Sequence, residues 1–200
     1  MTIFRPGQNR QPLLLLHGTG GSERDLLPIG RLLDPAAPLL AIGGRVVENG
    51  QSRYFRHTAN GAFDQSDLEH QTTWLLTTAM AALADHGLAK RPITVVGYSN
   101  GANIAAYALL HRATPFASAI LFHATTVSAQ NDPSLPAIPT WLSFGTNDPY
   151  VSPAAFTALS ARLQQNHAPL TIYRHAHGHR LTHAELLAAR DWLQRILKGV

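Results

Sequence analysis

Short apolar runs punctuate the chain at 12–16, 39–47, 93–97, 117–122, 140–144 and 170–175, most of them too short for buried helices and suited to strands covered on both faces. They begin at Pro12, Leu39, Ile93, Ala117, Thr140 and Leu170. Between them lie stretches with helical spacing and legible starts. Ile104, Tyr107, Ala108 and His111 fall on one helical face within Ala102–His111. Ser66-Asp67-Leu68-Glu69 reads as a capping box opening a long helix to about Asp85. Ser152-Pro153 reads as a cap followed by proline at the first helical position, and Thr182-His183-Ala184-Glu185 as a second box. Strand alternating with helix predicts an α/β fold, a mostly parallel sheet flanked by helices on both faces, in one domain over residues 1–200. Functional loops of such a sheet follow the strands, because ligands bind beyond their carboxyl ends.

Composition narrows the chemistry. The hydrophobic fraction of 45% suits a globular core, and the absence of cysteine excludes a disulfide framework, a thiolate nucleophile and cysteine-ligated zinc. No stretch reaches the ~20 apolar residues that span a bilayer, and the amino terminus lacks a signal-peptide pattern, so a cytoplasmic location is expected. The formal charge of +4 comes from scattered basic residues, not from a block, so neither nucleic acid nor a membrane is expected as a partner. Arg45, Arg53 and Arg56 make the nearest thing to a cluster, one that would steer anionic substrates.

Two loops carry candidate chemistry. Gly97-Tyr98-Ser99-Asn100-Gly101 directly follows the β-branched run Ile93-Thr94-Val95-Val96, the strand, turn and helix context of a nucleophile elbow. Leu13–Leu16 leads into His17-Gly18-Thr19-Gly20-Gly21, a glycine-rich turn whose amides can face an anion. A phosphate-binding reading of that turn would need a lysine after the glycines or a Gly-x-Gly-x-x-Gly spacing, and it has neither. A serine hydroxyl needs a base, and the base an acid that fixes its tautomer. Asp148 follows the strand at 140–144 and is the best acid; Asp132, the runner-up, precedes that strand. His175, His177 and His179 alternate through one segment, with His183 beyond. His179, between the last strand and the last helix, is the first choice of base and His177 the second. The alternating histidines would also suit a metal, but no carboxylate cluster accompanies them, so neither metal nor other cofactor is expected.

Residues 48–67, polar but carrying Tyr54, Phe55 and Phe63, overhang the expected site. Two readings stand for Tyr54 and Phe55, a wall of the substrate pocket or part of the core. His123, at the end of the run 117–122, lies near the site by topology, as a packed or pocket-wall histidine.

Together these segments resemble the α/β-hydrolase superfamily, and more narrowly its small carboxylesterase/phospholipase-like branch, which includes bacterial hydroquinone-linked carboxylesterases. The resemblance rests on Leu16–Gly21, Arg53–Arg56, Gly61–Asp64 with Asp67-Leu68, Gly97–Ala105, Gly145–Asp148 and Gly178-His179, and covers nearly the whole chain. His177, where a small residue is more usual, departs from it. The resemblance implies Ser99, Asp148 and His179 as nucleophile, acid and base, and the amides of Thr19 and Asn100 as the oxyanion hole. It also implies a core without a large lid domain. The expected activity is hydrolysis of small-molecule carboxylic esters, with Tyr54, Phe55 and His123 toward the substrate. Thioesterase, deacylase, lactonase, peptidase and perhydrolase chemistry share the triad, and a catalytically silent ligand-binding member shares the fold. A homodimer is left open.

Overall fold

The computed structural model describes residues 1–9, 11–128 and 134–199. Asp132 and Pro133 lie outside them. Seven strands form one sheet in the order β1-β3-β2-β6-β7-β8-β9, comprising β1 (Thr2–Arg5), β2 (Leu13–Leu16), β3 (Leu39–Ile42), β6 (Ile93–Tyr98), β7 (Phe116–Phe122), β8 (Thr140–Gly145) and β9 (Leu170–His175). All neighbours pair in parallel except β1, which runs antiparallel to β3 at the edge. β4 (Val46–Glu48) and β5 (Gln51–Arg53) form a separate hairpin.

The sheet feeds two cores. The four consecutive leucines of β2 are all buried, Leu14 and Leu16 toward one face and Leu13 and Leu15 toward the other. Burying each such side chain contributes about 1.5–3 kcal/mol, which is why a run with no polar alternation specifies a central strand. On the first face pack α2 (Gln65–Asp85), α3 (Asn100–His111) and α4 (Pro153–Gln165); on the second, α1 (Leu27–Leu33) and α5 (His183–Lys198). Inside the sheet the Thr94 and Ser118 hydroxyls hydrogen-bond to each other at 2.8 Å, so two buried polar groups of β6 and β7 satisfy one another.

Two caps form as expected. Ser152 Oγ accepts the Ala155 amide at the start of α4, and Thr182 with Glu185 makes the reciprocal box of α5. The third differs. Asp64, not Ser66, caps α2 by accepting the Asp67 amide at 3.1 Å, and Ser66 falls inside the first turn. The expected run 39–47 is interrupted after Ile42 by Gly43-Gly44; a side chain on Gly44 would collide with the Arg53 carbonyl, so the hairpin lies tight against this bend. That packing places β5 over the turn after β2, where the Gly20 N–H donates to the Ser52 carbonyl at 2.8 Å. No helix among the described residues is long and apolar enough to cross a membrane.

Candidate active site

Ser99 sits where β6 gives way to α3, with φ 52° and ψ −113°, a conformation an L-residue adopts only when its surroundings enforce it. The enforcement is visible in the backbone. The Ser99 N–H donates to the Phe122 carbonyl at 2.9 Å and the Gly101 N–H to the His17 carbonyl at 3.0 Å. Both flanking glycines are sterically required: a Cβ on Gly97 would lie 2.6 Å from the Ala102 backbone, and one on Gly101 would run into the Leu16 carbonyl.

Three distant segments converge on this serine. The Ser99 hydroxyl and His179 Nε2 are 2.9 Å apart, and His179 Nδ1 is 2.6 Å from Asp148 Oδ2. Asp148 is fixed from its other side, since its Oδ1 accepts the amides of Tyr150 (2.8 Å) and Val151 (3.1 Å). Burial alone would raise its pKa; the bonds from His179, the Tyr150 amide and His123 outweigh that and hold it below the ordinary value. His179 is held through its own backbone, whose carbonyl accepts the Tyr98 hydroxyl at 3.0 Å. The loops bearing Asp148 and His179 are tied together, Thr146 N–H to the His175 carbonyl at 2.9 Å and the Asn147 amide to the Ala176 carbonyl at 2.8 Å.

Of the other histidines, His177 is exposed and engages the group only at His175, through its backbone N–H, which donates to His175 Nδ1 at 3.2 Å, and through a tilted ring contact at 5.6 Å. His123 is buried and strained, with φ 54°, and its Nδ1 donates to the same Asp148 oxygen at 3.0 Å. Its Nε2 lies 3.2 Å from Oε1 of Glu185, a fully buried carboxylate whose Oε2 accepts the Thr182 amide at 3.1 Å and lies 3.5 Å from His175 Nε2. Burial would lower the His123 pKa, but the carboxylates of Glu185 and Asp148 overcome it and raise it. Conversely Glu185, which burial would raise, is lowered by His123, Ser143 and the Thr182 amide. The arrangement thus sets the His123 ring between two carboxylates, Asp148 and Glu185, behind the serine-linked imidazole, and this charge chain favours the protonated form of His123. Among the described residues, the side chains grouped closely enough to share a metal are His123 with Asp148 and His179, and His123 with His175 and Glu185; neither group contains His177. The alternating histidines therefore do not converge on one point. His179 has both nitrogens committed, to Ser99 and to Asp148.

A cavity of ≈ 440 Å³ opens over Ser99, bounded also by Thr19, Arg53, His57, Phe63 and Tyr150. The expectation that Tyr54 and Phe55 form its wall is corrected, for both are fully buried in the core. The Tyr54 hydroxyl donates to the Ile42 carbonyl at 2.6 Å and accepts the His17 amide at 3.0 Å, and the Tyr54 N–H donates to Asn100 Oδ1 at 2.7 Å. Tyr54 therefore braces the two turns next to Ser99 from beneath. The residues on either side of that pair, Arg53 and His57, reach the cavity instead. Of the arginine cluster, Arg45 stacks on Trp74 (4.5 Å) and bonds Gln71, while Arg56 is exposed, leaving Arg53 alone at the site. Sequence reasoning missed Glu185 as a site group, having read it as a helix cap, and missed His57 and Tyr150. Thr19 and Asn100 both border the cavity, Asn100 as the first residue of α3, where helix geometry leaves an N–H without an intrahelical acceptor.

A serine on a strained turn at the carboxyl end of a central parallel strand, linked through an imidazole to a buried carboxylate two strands away, defines the α/β-hydrolase fold class. Within it, the chain belongs to the phospholipase/carboxylesterase family, whose sequence profile matches residues 56–197. It is 37% identical over 196 residues to MhqD of Bacillus subtilis, a protein assigned as a hydrolase, with 98% of each chain covered. Among solved structures, the Bacillus cereus carboxylesterase superposes with a TM-score of 0.91 at 36% identity over 98% of this chain and 93% of that one. YahD, solved with malic acid, superposes at 0.93 and 34% identity over 98% of each chain.

Proposed function

We propose that the protein is a serine hydrolase that cleaves small carboxylic esters by acyl transfer through Ser99, His179 and Asp148. The observation that carries the reading is the unbroken hydrogen-bonded path from the Ser99 hydroxyl to His179 Nε2 (2.9 Å) and from His179 Nδ1 to Asp148 (2.6 Å). In the first step the Ser99 oxygen attacks the ester carbonyl while its proton passes to His179 Nε2. The charge that develops on the carbonyl oxygen is met by the main-chain amides of Thr19 and Asn100. Collapse of the tetrahedral intermediate breaks the carbon to alkoxide bond, and His179 hands its proton to the departing alcohol. Water then attacks the acyl-serine with His179 as base, releasing the acid and restoring the hydroxyl. Asp148 holds the tautomer with the proton on Nδ1 and stabilises the transient imidazolium without taking that proton.

His123 contributes from behind. It supplies a second donor to the oxygen that faces His179, which fixes the carboxylate plane. An electropositive main-chain hole is the larger part of such catalysis, each donor being worth roughly a hundredfold or more in turnover. Carboxylic esters are the substrate class most directly supported, since two structural relatives with TM-scores above 0.8 and identities of 36% and 28% are carboxylesterases. The test combines labelling and turnover. A fluorophosphonate should attach to Ser99, and Ser99→Ala should abolish both the label and the hydrolysis of p-nitrophenyl butyrate. Wild-type turnover by Ser99→Ala would refute the mechanism.

A further inference from the structure

One wall of the cavity is built in a way that acyl transfer itself does not require. Arg53, at the end of β5, sends Nη1 to the Thr19 hydroxyl at 3.2 Å, so its guanidinium stands beside the turn offered above as the oxyanion hole. Its Nε edge faces Glu48 Oε2 at 3.3 Å. That same oxygen is 2.8 Å from His57 Nδ1, and Glu48 Oε1 accepts the His57 amide at 3.0 Å. The His57 amide is the main cause that holds the Glu48 pKa below its ordinary value. One ionised carboxylate thus orients two basic side chains. Both border the cavity while Glu48 does not. Among the described residues, Arg53 Nη2 and His57 Nε2 have no hydrogen-bonding partner. The rest of the wall here is Gln51 and Phe63, whose ring packs edge-on against His57 at 5.3 Å.

We propose that Arg53 and His57, clamped by Glu48, form a carboxylate-binding subsite, and that the preferred substrates are monoesters of short dicarboxylic acids. The proposal rests on the acyl-transfer reading and specifies its substrate. The side of the substrate follows from the chemistry. The departing alcohol must lie beside His179 Nε2 to receive its proton, so a group beside Arg53 and Thr19 belongs to the acyl part. A guanidinium with a free Nη2 suits a carboxylate, and the adjoining imidazole, whose Nδ1 faces Glu48, adds a second donor through Nε2 in its imidazolium form. Glu48, 3.3 Å from Arg53 Nε and bonded to the far nitrogen of the imidazole, partly offsets the positive charge but does not occupy Arg53 Nη2 or His57 Nε2.

The experiment compares monoethyl glutarate with ethyl pentanoate, two esters of equal acyl length that differ in a terminal carboxylate or methyl, by acid release in a pH-stat. Wild type should favour the anion by about tenfold or more in kcat/KM, the scale of one charge-assisted contact. Arg53→Gln should lower the ratio of the two kcat/KM values by about tenfold or more, and Arg53→Lys should restore part of it, because lysine keeps the charge without the fork. The ratio is independent of how much variant folds. Raising salt should erode the wild-type preference and leave the Arg53→Gln ratio flat. A wild-type ratio near one, or one unchanged in Arg53→Gln, overturns the subsite. Fluorophosphonate labelling of the wild type separates that failure from a failure of the acyl-transfer reading, since labelled enzyme without the preference lacks only the subsite.

Discussion

Glu185 lies outside the serine's own hydrogen-bonded path, yet its replacement by glutamine should report the charge chain behind Asp148 directly. The side chain is fully buried, caps α5 through the Thr182 amide at 3.1 Å and faces His123 Nε2 at 3.2 Å. Glutamine keeps the shape and an oxygen for Thr182, so the cap survives while the charge goes. Removing one partner of a buried ion pair costs about 3–5 kcal/mol, less about 1 kcal/mol for the retained hydrogen bond, leaving about 2–4 kcal/mol. At about 2–4 °C per kcal/mol for a chain of this size, Tm should fall by roughly 4–16 °C. The pH dependence carries the sharper signature. The pKa of Glu185 is lowered by folding, so its contribution is present above its ordinary value of 4.5 and is lost as pH falls through the folded value. That of His123 is raised, so its contribution is present below its ordinary value of 6.5 and is lost as pH rises through the folded value. The difference in Tm between wild type and Glu185→Gln should therefore be greatest between those two values and shrink on either side. Differential scanning fluorimetry from about pH 3.5 to about pH 9, on either side of those two ordinary values, measures it. A difference that stays constant with pH would refute the charge chain and leave Glu185 as a cap alone.

Replacing His179 by alanine should cost about a thousandfold or more in kcat, whereas His177→Ala should stay within about threefold, because only the first ring reaches the Ser99 hydroxyl. Comparable losses in the two variants would mean that the base had been misassigned. Tyr54→Phe deletes the hydroxyl that joins the Ile42 carbonyl to the His17 amide and should cost about 1–3 kcal/mol in urea unfolding, the price of leaving buried backbone groups unpaired. Its relative preference among ester chain lengths should match wild type; an altered preference would return Tyr54 to the pocket wall.

The sheet was legible because its central strands are apolar on both faces, and runs such as Leu13–Leu16 or Ile93–Val96 admit no other comfortable placement in a layered α/β fold. The elements that escaped are those whose stability comes from their neighbours. β1 is four residues with only its middle half-buried, and it exists because the β3 edge supplies an antiparallel partner. The β4–β5 hairpin carries Glu48, Gln51, Ser52 and Arg53 in six short positions of strand, with no alternation to announce it; it is held by Gly44 and by the Gly20 to Ser52 hydrogen bond. The start of α2 lies two residues before the expected one, since Asp64 and Ser66 are both good caps and tertiary contacts favour the first, the Arg56 amide donating to Asp67 at 2.7 Å and the Asp64 amide to the Arg56 carbonyl at 3.0 Å.

The site divides along the same line. Ser99, Asp148 and His179 follow strands in a fixed chain order, so topology alone carries them to one rim. Which neighbours matter was not legible, because that depends on which face of a loop turns inward. Tyr54 and Phe55 are flanked by Arg53 and Arg56, and the pattern reads equally well with the aromatics or the arginines at the cavity. Burial decides it. The aromatic pair fills the space under the turns at His17 and Asn100, and this displaces Arg53 outward onto Thr19. Glu185 illustrates a deeper difficulty. Its spacing from Thr182 is fully explained by a capping box, and a residue with one sufficient local role gives no sign of a second. Its second partner, His123, is 62 positions away by chain order and meets it only because β7 and the start of α5 end at the same rim, where the His123 ring stands between Glu185 and Asp148. A strained backbone at a buried histidine is the mark that this meeting leaves, and it exists only in three dimensions.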